Sequence, residues 1–515
     1  MYDLILKNGL VIDGTGAAPY KANVCILNGK IAAITAEAPE AKESLDVTGL
    51  AVTPGFIDIH SHSDSQPFQN IIPENSLLQG VTTQVAGNCG TAMVPTFSVI
   101  PGKENDYCLS RRSHKGFEST DIYLAELAKT QPMSNYCTLV GHSNLRSSVI
   151  GYDDRIPTDE EMAFMCQRLD AEMEKGAFGM SLGLIYPPSS FAEKEELVAL
   201  AKVIAKRKGI LSVHMRNEGP RLFEAVEEML EIARLSGVHL EISHLKLMGK
   251  PQWGKAPQLT AMIEKAQAEG VTVTCDQYPF PASSTNLTAL VPRWAADGGT
   301  QAMLARLEAR EGSVLADITR EMDNRGGPHC VLIVSAQDHP EYVGKTIAQL
   351  SQDTEPAETV RSVLLDCPRC SCIYFSMDEA DVRHIMEKDW VCVGSDGSDR
   401  VIASAPTIHP RNFSTFSQYF QTVREYKLLP FEKMVRKATG LTASILGMED
   451  RGTLEVGKWA DICVFDPEGF ASLSTFLAPQ KAPEGMYHVL VNGQFAVKDQ
   501  TLTLARCGKA IAKKQ

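Results

Sequence analysis

Four times in the middle of this chain a helix-like stretch ends on a glycine and an apolar strand follows at once. The junctions are Gly176 before AFGMSLGLIY, Gly209 before ILSVHMRNE, Gly237 before VHLEISHLK and Gly270 before VTVTCDQYP. Glycine is the usual residue just past a helix, where the chain turns left-handed. The first of these helices also has a start signal, because Thr158 followed three residues later by Glu161 is a capping box. Met162, Met165, Leu169 and Met173 then recur at the helical period, as core packing requires. Repeated strand–helix units predict a parallel sheet wrapped by helices. The strand candidates are FIDIHSH, TTQVAGN, NYCTLVG, GMSLGLI, LSVHMRN, LEISHLK, VTVTCDQ and, much later, WVCVGSDG. Eight is the strand count of a (β/α)8 barrel. The fold expected is therefore α/β and TIM-like, with an α/β sandwich of fewer strands as the alternative. Residues 285–385 are too many for one crossover and are expected to form an insertion before the last barrel strand.

The two ends of the chain read differently from its middle and resemble each other. Asn8-Gly9, Asn28-Gly29 and Asn492-Gly493 each interrupt apolar runs. Asn-Gly between apolar segments is a strong hairpin signal, because a type I′ turn needs positive φ at both positions. One small β-sandwich built from both termini is expected, with residues 1–54 as its first part and 450–515 as its second. The barrel then occupies 55–449.

Bulk properties narrow the class. A chain of 515 residues exceeds one ordinary core unless the core is a large barrel with attachments. The formal net charge of −13 argues against a nucleic-acid partner, which a basic stripe would signal. The opening MYDLILKNG has no long apolar core, and no run is long enough to span a membrane. Thirteen scattered cysteines fit reduced thiols, so the expected location is cytoplasmic, away from a membrane. Cys367, Cys370 and Cys372 form a small cluster with no second Cys-x-x-Cys nearby, and incidental thiols are favoured over a zinc knuckle or a redox pair. Nothing fixes an oligomeric state.

Polar residues gather where the strands end. The first strand runs into His60, His62 and Asp64, and alternate residues of a strand share a face. The second leads to Asn88-Cys89. The fifth ends in His214, Arg216 and Glu218, the sixth in His244 and Lys246, the seventh in Asp276 and Tyr278, the eighth in Asp396. In a barrel the C-terminal strand ends form the active face. Each residue alone has a dull explanation, such as a structural histidine, a small buried thiol or turn chemistry at Gly-Ser-Asp-Gly. Together, four of only 12 histidines converge with a cysteine and several acids, and that is a zinc-type ligand set. Glu218 can orient a ligating histidine or pair with an arginine. His409-Pro-Arg411 reads either as a helix start or as a pocket wall.

The run from Gly55 to Asp64 resembles the opening signature of the metal-dependent amidohydrolase superfamily. GVTTQVAGNCG, SVHMRNE, SHLK, CDQYP and GSDG are similar to the branch of N-acyl-D-amino-acid deacylases (D-aminoacylases), and GTLEVGKWADICVFDP resembles its β-sandwich return. The resemblance covers nearly the whole chain. It implies that His60 and His62 hold one metal, that His214 and His244 hold a tighter one, and that Cys89 stands in for the carboxylated lysine of other members. The fourth strand, GMSLGLIY, has no lysine to carboxylate. Asp396 is implied as general base and then acid. Lys246, Tyr278 and Ser284 are implied to hold the α-carboxylate of an N-acyl amino acid, with Arg216 and Arg383 as weaker candidates. The implied cofactor is one tightly bound zinc, with a second weak site left open. The alternative is an amidohydrolase of the hydantoinase, dihydroorotase or isoaspartyl dipeptidase type, acting on cyclic amides or dipeptides.

Overall fold

The structure is a computed structural model that describes residues 1–100, 116–406 and 408–514. Eight segments form the expected ring. They are β1 (Phe56–Asp58), β2 (Val81–Ala86), β3 (Asn135–Thr138 and Val140–Gly141), β4 (Gly179–Gly183), β5 (Ile210–His214), β6 (His239–Ile242), β7 (Val273–Gln277) and β8 (Val391–Val393). Each pairs in parallel with the next. The ring closes just beyond the first and last strands. Ser61 and Gly397 form a parallel bridge, the Asp396 amide donates to the His60 carbonyl at 2.8 Å, and the His62 amide donates to the Gly397 carbonyl at 2.7 Å. The backbone that closes the barrel thus belongs to the residues singled out for chemistry.

Helices Lys194–Lys206, Leu222–Ser236 and Ala256–Ala268 cover the ring. They bury Leu200, Ile204, Met229, Leu230, Leu259 and Ile263 against its outer face. Each such side chain contributes about 1.5–3 kcal/mol by leaving water. The capping box at Thr158 and Glu161 is present at the start of Asp159–Glu174. Met165, Leu169 and Met173 are buried, and Met162 packs at the edge of the same core. Gly237 ends its helix at φ 73°, with its amide donating to Ala233. Gly209 departs from the expectation: Lys208 takes the left-handed turn at φ 51°. A side chain at Gly209 would meet Met173 Cε at 2.5 Å, so close packing explains the glycine there.

The two termini build one nine-stranded sheet. Ala51–Pro54 from the first part pairs antiparallel with Ile462–Phe465 from the second. Leu6, Val24, Val52, Ile462 and Leu490 form its core. Asn28-Gly29 and Asn492-Gly493 are left-handed turns, as expected. Asn8-Gly9 is not a hairpin. It lies inside the strand Tyr2–Val11, which bulges between Leu6 and Gly9 while Asn8 takes φ 61° and its amide donates to the Asn23 side chain at 2.9 Å.

Between β7 and β8 the chain forms a three-stranded antiparallel sheet from Ser283–Asn286, Ser371–Tyr374 and Val331–Ser335. Helices Thr300–Ala309, Val314–Asn324 and Pro356–Asp366 pack on it. Leu307, Ile318, Val360 and Leu364 make a core of its own, and Cys367, Cys370 and Cys372 are buried in that core. Among the described residues no helix is long and apolar enough to cross a membrane.

Candidate metal centre

Cys89 is positioned by its neighbours. The Asn88 side chain donates to the carbonyls of Ile59 and Val85 and accepts from the Ser212 hydroxyl, tying the turn after β2 to β1 and β5. A Cβ on Gly90 would come within 2.6 Å of the Gly183 amide, so GNCG lies directly against β4. Cys89 itself takes φ 54°. His244 at φ 38° and Asp396 at φ 50° share this sparsely populated region. Such backbone states persist only where surrounding contacts over-determine them, and they gather at functional sites.

The geometry around Cys89 Sγ is close. His60 Nε2 lies 3.3 Å away, His244 Nε2 3.6 Å and His214 Nδ1 3.7 Å. Zinc–sulfur and zinc–nitrogen bond lengths in a tetrahedral site place such ligand atoms about 3.6 Å apart. The spacing from Cys89 Sγ to each of these nitrogens is thus that of two ligands sharing a zinc ion. Two overlapping groups arise: His60, His62, Cys89 and Asp396, and Cys89, His214 and His244, with the donor atoms of each within 4.8 Å of one another. Cys89 is common to both. Burial opposes ionisation of its thiol, but the charge of His60 and hydrogen bonds with His214, His244 and His60 outweigh that and hold it well below the usual thiol range. A thiolate is the form that binds metal.

A second layer orients these groups. Asp276 Oδ2 lies 3.0 Å from His60 Nδ1, and its Oδ1 accepts from the His244 amide at 2.9 Å. Asp58 accepts from the His60 and Ser395 amides and from the Ser395 hydroxyl, joining β1 to the segment after β8. Glu218 accepts from Lys246 Nζ and lies 3.1 Å from His244 Nδ1 and 3.6 Å from His214 Nε2. Metal-bound histidines are commonly fixed in this way by carboxylates. Asp396 Oδ1 faces His62 Nε2 at 3.0 Å and His60 Nε2 at 3.6 Å, while its Oδ2 pairs with Arg411 at 2.8 Å. Burial would raise its pKa, but Arg411 and the hydrogen bond with His62 hold the carboxyl well below the usual range.

His62, Cys89, His214, His244, Asp396 and Arg411 line a cavity of about 490 Å³, together with Lys246, Tyr278 and Ser284. Arg411 reaches the Ser284 carbonyl at 3.1 Å, and its guanidinium lies 5.0 Å from the Tyr278 ring. Two of the expected substrate residues lie outside the lining of this cavity. Arg216 spends its guanidinium on Glu228 at 3.0 Å and on the carbonyls of Ser190 and Ala192, bracing the segment after β4. Arg383 sits on the helix Glu379–Met386, pairs with Glu379 at 3.4 Å and covers the Tyr426 ring at 4.2 Å, lining a separate cavity. On sequence grounds Arg411 has only a place at a pocket wall and Asp276 only a place among the strand-end acids, neither with a chemical role. His409-Pro-Arg411 was the available signal for the first, and the strand-end position of Asp276 for the second.

The Amidohydrolase family model matches residues 43–497. The N-acyl-D-glutamate deacylase of Alcaligenes xylosoxydans xylosoxydans is 35% identical over 95% of this chain and 93% of its own length. The D-aminoacylase of the same organism is 33% identical over 99% and 98%. A crystal structure of N-acyl-D-glutamate deacylase from Bordetella bronchiseptica, complexed with zinc and a phosphonate inhibitor that mimics the tetrahedral intermediate, superposes with a TM-score of 0.84 at 33% identity and 99% coverage of both chains. The chain belongs to the amidohydrolase family, in its N-acyl-D-amino-acid deacylase branch.

Proposed function

We propose that this protein hydrolyses the amide bond of N-acyl-D-amino acids, releasing a carboxylic acid and a free D-amino acid. The observation that carries the reading is the thiol of Cys89 set among His60, His214 and His244 at 3.3–3.7 Å, with Asp396 beside them. Cys89, His214 and His244 would hold the tighter zinc, and His60 and His62, sharing Cys89, a weaker second ion. When bound, zinc polarises the amide carbonyl and acidifies water. Arg411 anchors one oxygen of Asp396, leaving Oδ1 on the histidine side. Oδ1 accepts a proton from the attacking water and delivers it to the amide nitrogen as the C–N bond breaks. Lys246, Tyr278 and Ser284 line the same cavity and are assigned to the substrate's α-carboxylate. Zinc-loaded protein offered N-acetyl-D-methionine and N-acetyl-L-methionine, with ninhydrin detection of free amine, tests the reading. Turnover of the D form alone is expected, and turnover of neither, in protein that holds zinc, would sink it.

A further inference from the structure

Asp396 and the residues assigned to the substrate's carboxylate come from different parts of the chain. Asp396 is anchored by Arg411, which opens the helix Arg411–Tyr426 after β8. Ser284 lies in the strand Ser283–Asn286, on the way into the insertion. One side chain touches the backbone of both segments. His409 is only 1% exposed and lines the cavity at the metal centre beside Arg411 and Ser284. The Arg411 amide donates to its Nδ1 at 3.0 Å, and its Nε2 lies 2.9 Å from the Ala282 carbonyl. An amide N–H can only donate and a carbonyl can only accept. The ring is therefore neutral and carries its proton on Nε2. Burial and the charge of Arg411 keep it so, holding its pKa well below the usual histidine value.

Each nitrogen then has its own task. Nδ1 fixes the backbone from which Arg411 reaches Asp396 Oδ2 at 2.8 Å and the Ser284 carbonyl at 3.1 Å. Nε2 fixes the chain two residues before Ser284. The ring is held between these tasks by its neighbours. Phe280 and Phe476 stand edge-on to it, with centroids at 5.4 and 5.2 Å, and Tyr278 lies at 6.0 Å. Phe476 belongs to the second part of the β-sandwich, so barrel and sandwich meet at this imidazole. His409 has no donor in either metal group, and with both nitrogens spent on backbone it has none left for a ligand or a moving proton. A helix start needs only a short polar side chain to accept an amide, and asparagine would serve. An acceptor and a donor on opposite sides of one rigid ring meet both segments at once.

We infer that His409 is a positioning residue for the reaction: through Nδ1 it sets Arg411 on Asp396, and through Nε2 it sets the segment that presents Ser284 to the substrate. The inference rests on the deacylase reading for the roles of Asp396 and Ser284. Its two halves can be cut separately. His409→Asn keeps an acceptor where Nδ1 stands but is too short to reach Ala282. His409→Gln keeps an N–H donor where Nε2 stands but offers the Arg411 amide no acceptor. With N-acetyl-D-methionine, His409→Asn should raise KM by roughly tenfold and hold kcat within about threefold. His409→Gln should do the reverse, lowering kcat by roughly tenfold with KM within about threefold. Zinc content should match wild type in both, since His409 lies outside both metal groups. Constants at wild-type values in both variants, or kcat and KM moved together in both, would overturn the assignment, because a purely structural histidine predicts no such split. Phe476→Ala gives a second reading should those variants not fold. It acts on a half-buried loop residue and loosens the ring at both nitrogens, so kcat should fall and KM rise, each by about threefold. Unchanged constants there would also overturn it. Absence of turnover in the wild type takes down the deacylase reading and this assignment with it, whereas turnover in the wild type without the split removes the assignment alone.

Discussion

Two places in this molecule bury charge, and they do so in opposite ways. At the barrel mouth the groups around the metal site are paired: Asp396 with Arg411 and His62, Glu218 with Lys246, His60 with Asp276. Below the insertion, Arg325 is buried among a carbonyl, a thioether and an aromatic ring. The first arrangement has already met the desolvation cost of its charges, so its dipoles and charges are in place before substrate arrives, as electrostatic catalysis requires. The second holds its guanidinium on neutral partners alone. The mouth is closed chemistry held by backbone from opposite ends of the barrel, and the insertion is a wall with its own core.

The comparison breaks most visibly at the mouth. Asp396→Asn should lower kcat by roughly 10²–10⁴-fold, the usual worth of a general acid–base group, with far-UV circular dichroism unchanged. Cys89→Ala should lose activity to a similar degree for a different reason, and metal analysis after dialysis should show that zinc has gone with the thiol. Retained zinc and turnover in Cys89→Ala would remove the shared-ligand reading. On the insertion side, Leu307→Ala acts on packing. Leu307 is fully buried in the separate core, so its truncation should cost about 2–5 kcal/mol in urea unfolding. Zinc content should be unaffected if the two regions are as separate as their cores suggest.

A smaller effect distinguishes ligands from the groups that orient them. Asp276 touches His60 Nδ1 and the His244 amide but has no donor in either metal group. Asp276→Asn should weaken zinc binding by about 10–100-fold and lose activity that excess zinc restores. Activity lost in Asp276→Asn but not restored by zinc would place Asp276 in the chemistry itself.

The same contrast explains what the sequence disclosed. The barrel was legible because a helix stop followed by an apolar strand is a local signal, repeated at Gly176, Gly237 and Gly270. His60, Cys89, His214, His244 and Asp396 were legible because strand ends converge in any closed parallel barrel. Asn8-Gly9 carries a turn signal, yet pairing on both sides of it holds the strand together as a bulge. Arg216 and Arg383 have the right charge for a carboxylate, but Glu228 and Tyr426 reach them first through the helices they sit on or beside. Arg325 carries no sequence signal at all. Its isolation depends on how the insertion folds, and an arginine two residues before Gly-Pro reads as an ordinary surface loop.

The smallest effect concerns a pair that looks like the catalytic one but sits in water. Arg155 grips both oxygens of Glu161, at 2.7 and 2.6 Å, in the capping box of Asp159–Glu174. Hydrogen bonds from Arg155 lower the Glu161 pKa from 4.5 to about 2. A depressed carboxylate pKa stabilises the folded state fully above the unfolded value of 4.5, and that contribution is lost as pH falls through about 2. Both side chains are open to solvent, 40% and 23% exposed, so screening reduces the contribution to under about 1 kcal/mol. Glu161→Gln keeps an acceptor for the Thr158 amide and removes the charge. Its unfolding free energy should fall below wild type by that small amount at pH 6, and the gap should narrow steadily between pH 5 and pH 3. A gap that holds its size across that range would mean that Glu161 acts through the cap alone. The buried pairing of Arg411 with Asp396 would then be the sole carboxylate–guanidinium contact of the two in which charge, rather than hydrogen-bond geometry, sets the energy.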